Sequence, residues 1–189
     1  RAIRFAIQAE ASDEEQVVDA VLDAAAKAPS VGKSTFFDLA SMEEHDKRLL
    51  VERHLVSPAL AMRIGHGGVL VGPGESFSVM INEEDHVRMQ ALVAGFEPQT
   101  AWQAIDAIDT ELSSHLEFAY DDEFGYLTAC PTNTGTGLRL SLMMHLPALV
   151  MTGQIEETLS GLSSYGLTVR GAYGEHSENL GDLYQISNE

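Results

Sequence analysis

Cations are scarce in this sequence. Three Lys and eight Arg stand against 29 acidic residues, a formal net charge of −18 over 189 residues. A surface this acidic repels nucleic acid and anionic lipid at long range, so neither is expected as a partner. An anionic ligand must then be held by a local group of the few arginines, which makes their positions informative. Cysteine is scarcer still. Cys130 is the single one, so no intramolecular disulfide is possible, and the expectation is a reducing, cytoplasmic compartment or a functional thiol. No apolar run approaches the ~18 residues of a membrane span, and no secretory signal opens the chain. Signatures of metal and serine chemistry are missing too. The seven histidines are scattered, and none stands in the His-Glu-x-x-His or Cys-x-x-Cys spacing of zinc sites. No Gly-x-Ser-x-Gly elbow exists. Side chains alone therefore suggest no metal site.

What is present is globular. Hydrophobic residues make up 44% and charged residues 21%, near the averages of folded domains and enough for a real core. Ser12 with Glu15 forms a capping box, and Val18, Val21, Leu22 and Ala25 repeat at helical spacing up to Pro29. A strand is expected over Thr35 to Ala40 and a charged helix over Met42 to Leu55. Three strands follow at Gly68 to Val71, Ser76 to Ile81 and Val87 to Leu92, the first two joined by a Gly72-Pro73-Gly74 turn. Helical periodicity runs from Gln99 to Ala119. A Gly/Thr-rich loop spans Cys130 to Gly137. An apolar stretch continues to Val150, then a helix from about Gln154 to Leu162 and strands at Leu167 to Arg170 and from Tyr184 onward. No repeat, low-complexity run or linker divides the chain. Strands cluster as hairpins rather than alternating with helices, which predicts an α+β fold with a largely antiparallel sheet flanked by helices. Arg1 is not an initiator Met, and the last strand runs to the end, so both ends are expected to lie inside a larger protein.

Three blocks carry chemistry-bearing residues. Asn82-Glu83-Glu84-Asp85-His86-Val87-Arg88 puts three acids after an apolar strand. A solvated hairpin turn is the plain reading; a carboxylate cluster beside an arginine, gripping a cation next to an anion, is the functional one. Cys130 to Arg139 reads Cys-Pro-Thr-Asn-Thr-Gly-Thr-Gly-Leu-Arg. Its small residues allow close backbone approach to a ligand. It is neither a Walker loop nor a dinucleotide fingerprint. An isolated Cys is commonly a small buried hydrophobe, but a polar Gly/Thr loop is a poor core. Val169 to His176 brings Arg170 to a strand end, followed by a flexible turn with Glu175; a strand-end salt bridge is the plain alternative. Each block supplies one arginine: Arg88, Arg139 and Arg170. Guanidinium forks that grip a polyphosphate, next to acids that hold a cationic acceptor, suit phosphoryl transfer with Mg²⁺.

These strings, NEEDHVRMQ (82–90), CPTNTGTGLR (130–139) and RGAYGEHSE (170–178), resemble the signature blocks of the ATP:guanidino phosphotransferases. That family includes arginine and creatine kinases and a bacterial kinase of protein arginine. GTGLRLSLMMHLPALV (135–150) and HLVSPAL (54–60) are most similar to the bacterial versions. The resemblance implies a guanidino-kinase catalytic-domain fold of glutamine-synthetase-like type. It also implies ATP as phosphoryl donor, Mg²⁺, and arginine side chains of proteins as acceptors. By position, Glu84 matches the carboxylate that orients the guanidinium and takes its proton. Glu175 matches the second acid, and Cys130 the thiol against the guanidinium. Arg88, Arg139 and Arg170 match the phosphate clamps. Leu140, Ser141, Leu142 and Met143 follow along the nucleotide, as do Gly171, Ala172, Tyr173 and Gly174 after Arg170, and His54 matches a residue near the adenine. The chain departs from the pattern in lacking the family's Ser-Ser/Thr-Arg-x-Arg motif ahead of Arg1. It therefore resembles a catalytic domain with both ends missing, and the piece alone is expected to be inactive. A kinase of a free guanidino metabolite and a non-catalytic nucleotide-binding module are the alternatives.

Overall fold

The computed structural model describes residues 3–5, 7–171 and 180–188. They form two compact units, Arg1–Gly137 and Leu138–Glu189. The boundary falls at the end of the Gly/Thr-rich loop. That loop is short and lacks the composition of a linker, so the sequence did not mark it.

In the first unit, helix α1 (Ala11–Lys27) turns Val17, Val21, Ala24 and Ala25 inward. It starts earlier than the Ser12/Glu15 capping box predicts. Glu10 is the N-cap, and its backbone N–H donates to Asp13 at 3.0 Å. Arg4 settles the choice by bridging Glu10 at 2.9 Å and Asp13 at 2.7 Å, a compensation invisible to local pattern. Strands β1 (Thr35–Asp38), β2 (Gly68–Val71), β3 (Phe77–Ile81) and β4 (Val87–Ala91) form an antiparallel sheet in that order. Every residue of β2 and β3 is buried, because the sheet is covered on both faces. Leu70, Phe77, Val79 and Ile81 pack with α1 and with Ile108 and Leu112 of α4 (Pro98–Ser113). Val69, Val71 and Met80 pack with Leu50 of α2 (Glu44–Glu52) and Leu60 of α3 (Pro58–Ala61). The strand period of two divides the residues between these cores.

Two helices are shorter than their periodicity predicts. The α2 helix stops where His54 takes a left-handed φ of 57°. The α4 helix stops at Ser113, where the hydroxyls of Ser113 and Ser114 turn back onto the Thr110 carbonyl at 3.1 and 2.8 Å, competing with the backbone ladder. A small hairpin, β5 (Tyr120–Asp121) and β6 (Gly125–Tyr126), is too short to leave a periodic signal.

In the second unit the apolar stretch divides into strand β7 (Ser141–His145) and helix α5 (Pro147–Met151), with Pro147 pre-set for a first helical turn. Helix α6 (Ile155–Leu162) and strands β8 (Leu167–Gly171) and β9 (Leu183–Asn188) follow. The sheet is antiparallel, in the order β7-β9-β8. The architecture is α+β with antiparallel sheets flanked by helices, as the clustering of strands predicts.

Candidate active site

The acid turn sits between β3 and β4, closed by the Asn82 N–H donating to the His86 carbonyl at 2.9 Å. Asn82 holds a left-handed φ of 59°, which asparagine tolerates better than most residues. The turn separates its acids. Glu83 points inward, with its side chain 7% exposed and 3.3 Å from the Arg88 guanidinium. It also accepts from the Ser57 hydroxyl at 2.7 Å and the Glu84 N–H at 2.8 Å. Burial pushes the Glu83 pKa up, but the Ser57 hydrogen bond, the Arg88 charge and the Glu84 N–H together hold it below the ordinary carboxylate range. The native state thus binds fewer protons than the unfolded chain at this group. Its stabilisation is present above the ordinary value and fades as pH falls through the lowered one. In urea titrations at several pH values, the stability advantage of wild type over Glu83→Gln is expected to shrink below about pH 4.

Glu84 and Asp85 point the other way, onto the loop that carries Cys130. Glu84 Oε2 accepts from Asn133 Nδ2 at 3.2 Å, and Asp85 Oδ1 accepts from the Ala129 N–H at 2.6 Å. Ala129 and Asn133 bracket Cys130, so these two bonds seat the thiol loop against the acid turn. The loop has its own frame. Thr128 Oγ1 donates to the Cys130 carbonyl at 2.7 Å and pairs with Thr134 Oγ1 at 3.0 Å. Cys130 Sγ lies 2.9 Å from Thr132 Oγ1. Tyr126 and Gly135 exchange backbone hydrogen bonds of 2.8 and 3.2 Å. Gly125 has φ +81°, and a Cβ there would lie 2.5 Å from the Gly135 carbonyl oxygen, so glycine is required for this approach.

Arg88 stands on β4, exposed, with Gln90 on the same face. The Gln90 side-chain amide donates to the carbonyl of His54, tying that left-handed corner to the strand that bears Arg88. The first unit therefore ties the Cys130 loop to the acid turn through Glu84 and Asp85, ties Arg88 to the same turn through Glu83, and tethers His54 to Arg88's strand.

The second unit organises the remaining residues. Strand register puts Ser141, Met143, Gln185, Ser187, Thr168 and Arg170 on one face of its sheet. Arg170 crosses to β9 and donates to the Ser187 hydroxyl at 2.8 Å. Leu142 falls on the opposite face, as a strand alternates. Arg139 and Leu140 precede β7 in a segment that Asn188 grips from both sides. Asn188 Oδ1 accepts from the Leu140 N–H at 2.7 Å, and Nδ2 donates to the Leu138 carbonyl at 3.3 Å. Gly171 ends β8, buried. Ala172, Tyr173, Gly174 and Glu175 lie outside the described residues.

Sequence reasoning passed over Asp85, Asn133, Ser57, Ser187 and Asn188. Asp85, Asn133 and Ser57 stood inside the quoted motifs, yet only the folded approach of separate segments shows what each bonds. Ser187 and Asn188 left no local signal. Among the described residues no group of three or more His, Cys, Asp or Glu could hold a metal ion, and no helix is long and apolar enough to cross a membrane.

Comparisons with known proteins bear on this geometry. Residues 14–189 match the family model described as ATP:guanido phosphotransferase, C-terminal catalytic domain. A protein-arginine kinase of Shouchella clausii is 53% identical over 160 residues, covering 85% of this chain and 45% of that protein. One of Halothermothrix orenii is 46% identical over 188 residues, covering 99% of this chain and 53% of that protein. The chain thus spans about half the length of the curated relatives it matches. Among solved structures, the duplicated taurocyamine kinase from Schistosoma mansoni with bound transition state analog components matches with a TM-score of 0.82 at 26% identity, over 97% of this chain and 27% of that one.

Proposed function

Since the chain belongs to the ATP:guanido phosphotransferase family, we propose that the protein transfers the γ-phosphoryl group of ATP to a guanidino nitrogen of arginine side chains in proteins. The observation that carries this reading is the pair of bonds, Glu84 to Asn133 and Asp85 to Ala129, that seats the Cys130 loop on the acid turn. A guanidinium stays protonated far above neutral pH and is a poor nucleophile in that form. Glu84 is exposed and points away from Glu83. It is the acid available to align the guanidinium and accept its proton as the N–P bond forms and the bond from the γ-phosphorus to ADP oxygen breaks. The Cys130 sulfur would lie against the cation. Arg88, Arg139 and Arg170 would clamp the phosphates by charge-assisted forks, with the exposed row of Ser141 and Met143 and the backbone at Leu140, Leu142 and Gly171 along the nucleotide. His54 would lie near the adenine, Ala172, Tyr173 and Gly174 would continue along the nucleotide after Gly171, and Glu175 would complete the acceptor side. Mg²⁺ would enter on the nucleotide phosphates and neutralise their charge. The reduced thiol fits a cytoplasmic setting.

Protein arginine is favoured over a free guanidino metabolite because the relatives at 46% and 53% identity carry the name protein-arginine kinase, against 26% for the taurocyamine kinase. The full-length protein with ATP and an unfolded arginine-bearing protein is expected to form acid-labile phosphoarginine, well above an Arg88→Ala control. Product on free arginine or taurocyamine but not on protein would turn the reading to a metabolite kinase. ATP binding without product on either would turn it to a nucleotide-binding module. Cys130→Ala is expected to slow turnover about tenfold to a hundredfold, less than loss of the base, because the sulfur helps place the guanidinium and is not the group that takes its proton. Wild-type turnover in Cys130→Ala would return the thiol to a packing role.

A further inference from the structure

A polar column stands beneath the acid turn, and the chemistry above makes no use of it. Glu14 is a charged residue of α1 that is only 7% exposed. Its Oε1 pairs with the Arg63 guanidinium, and its Oε2 accepts from the His66 N–H at 2.8 Å. The Glu14 backbone carbonyl accepts from Asn82 Nδ2 at 3.0 Å, and the same amide donates to the His66 carbonyl at 2.7 Å. A second nitrogen of Arg63, Nη1, reaches the Glu83 carbonyl at 3.3 Å. Gly65 has φ +132°, and a Cβ there would lie 2.5 Å from Glu14 Oε2, so the backbone is drawn close around this carboxylate. The first two residues of the acid turn are thereby pinned, Asn82 by its side chain and Glu83 by its carbonyl. The peptide that begins at that carbonyl carries Glu84.

We propose that Arg63, set in place by Glu14, is a positioning residue for Glu84. One face of its planar fork meets a buried carboxylate, and its other end holds the peptide that aims the base. A lysine's single ammonium cannot span both. A buried ion pair adds little net stability over apolar groups of similar shape, so the reach to the Glu83 carbonyl is the distinctive feature of this pair. Misplacing a base by a fraction of an ångström lowers turnover without changing what binds the nucleotide. The inference rests on Glu84 being the base.

The test is steady-state kinetics of the full-length protein with Arg63→Met, Arg63→Lys and, as a separate arm, Glu84→Gln, with thermal unfolding showing each variant folded at the assay temperature. Arg63→Met is expected to lower kcat about tenfold to thirtyfold with the ATP KM within about twofold of wild type, and Arg63→Lys to recover part of the loss. Wild-type kcat in folded Arg63→Met, alongside an inactive Glu84→Gln, overturns the positioning role alone. A loss in Arg63→Met that falls on the ATP KM overturns it equally, since general loosening would produce that. Wild-type turnover in Glu84→Gln overturns the reading of the base itself. Should Arg63→Met not fold, Arg63→Lys carries the test: a lowered kcat at unchanged ATP KM supports the role, and an unchanged kcat removes it.

Discussion

Exchange of Glu84 for Gln is expected to lower phosphoryl transfer by about three orders of magnitude while ATP affinity stays within about twofold, since proton acceptance by a positioned carboxylate contributes 10²–10⁴-fold. The reason lies in the division of labour within the turn. Glu83 is buried against Ser57 and Arg88, so its charge is already matched inside the protein. Glu84 is exposed, and its described partner is a side-chain amide, which a glutamine can still engage. The substitution therefore keeps shape and hydrogen bonding and removes only the capacity to accept a proton. Single-turnover measurements at saturating ATP, paired with direct titration of nucleotide binding, read the two quantities apart. An equal loss of binding and turnover would remove Glu84 from the role of base.

Arg170→Ala is expected to act on the other quantity, weakening ATP binding about thirtyfold to a hundredfold, which corresponds to the ~2–3 kcal/mol of a charge-assisted fork on phosphate. Arg170 lies on the sheet face that also presents Ser141 and Met143, a row suited to a nucleotide. Part of any change will be structural, because Ser187 is 2% exposed and loses a donor when Arg170 is truncated. Ser187→Ala separates the contributions. It removes the same hydrogen bond and leaves the cation, so it should weaken ATP only a few-fold. Isothermal titration of both variants decides the matter. Comparable weakening in the two would assign Arg170 to bracing its strand.

The elements that were legible in advance share one property: their signal is local and repeated. The β2 and β3 strands show it as apolar runs around Gly72-Pro73-Gly74, and α1 shows it as a stripe of Val and Ala. Where a boundary moved, the cause came from outside the element. Arg4 shifted the start of α1 by stabilising the Glu10–Asp13 box, and a left-handed His54 cut α2 short. The motif residues Glu84, Cys130, Arg88, Arg139 and Arg170 stood out because acids after an apolar strand and glycines in a polar loop are locally costly. The residues that bond or brace them, Asn133, Ser187 and Asn188, carry no such local cost, and a hydrogen bond between residues 49 apart, as from Asn133 to Glu84, has no periodicity to detect.

The amino-acid order by itself determined the class of fold, the location of the three candidate blocks and the net negative charge, because alternation, spacing and composition can be read along a chain without its fold. Tertiary structure alone decided which of three consecutive acids is buried and which is presented, and that a buried Glu14–Arg63 pair underlies them. Those outcomes depend on what a turn meets when α1, the 57–66 segment and the Cys130 loop close around it. Burial and hydrogen-bond partners are set by approach in space rather than by order in sequence.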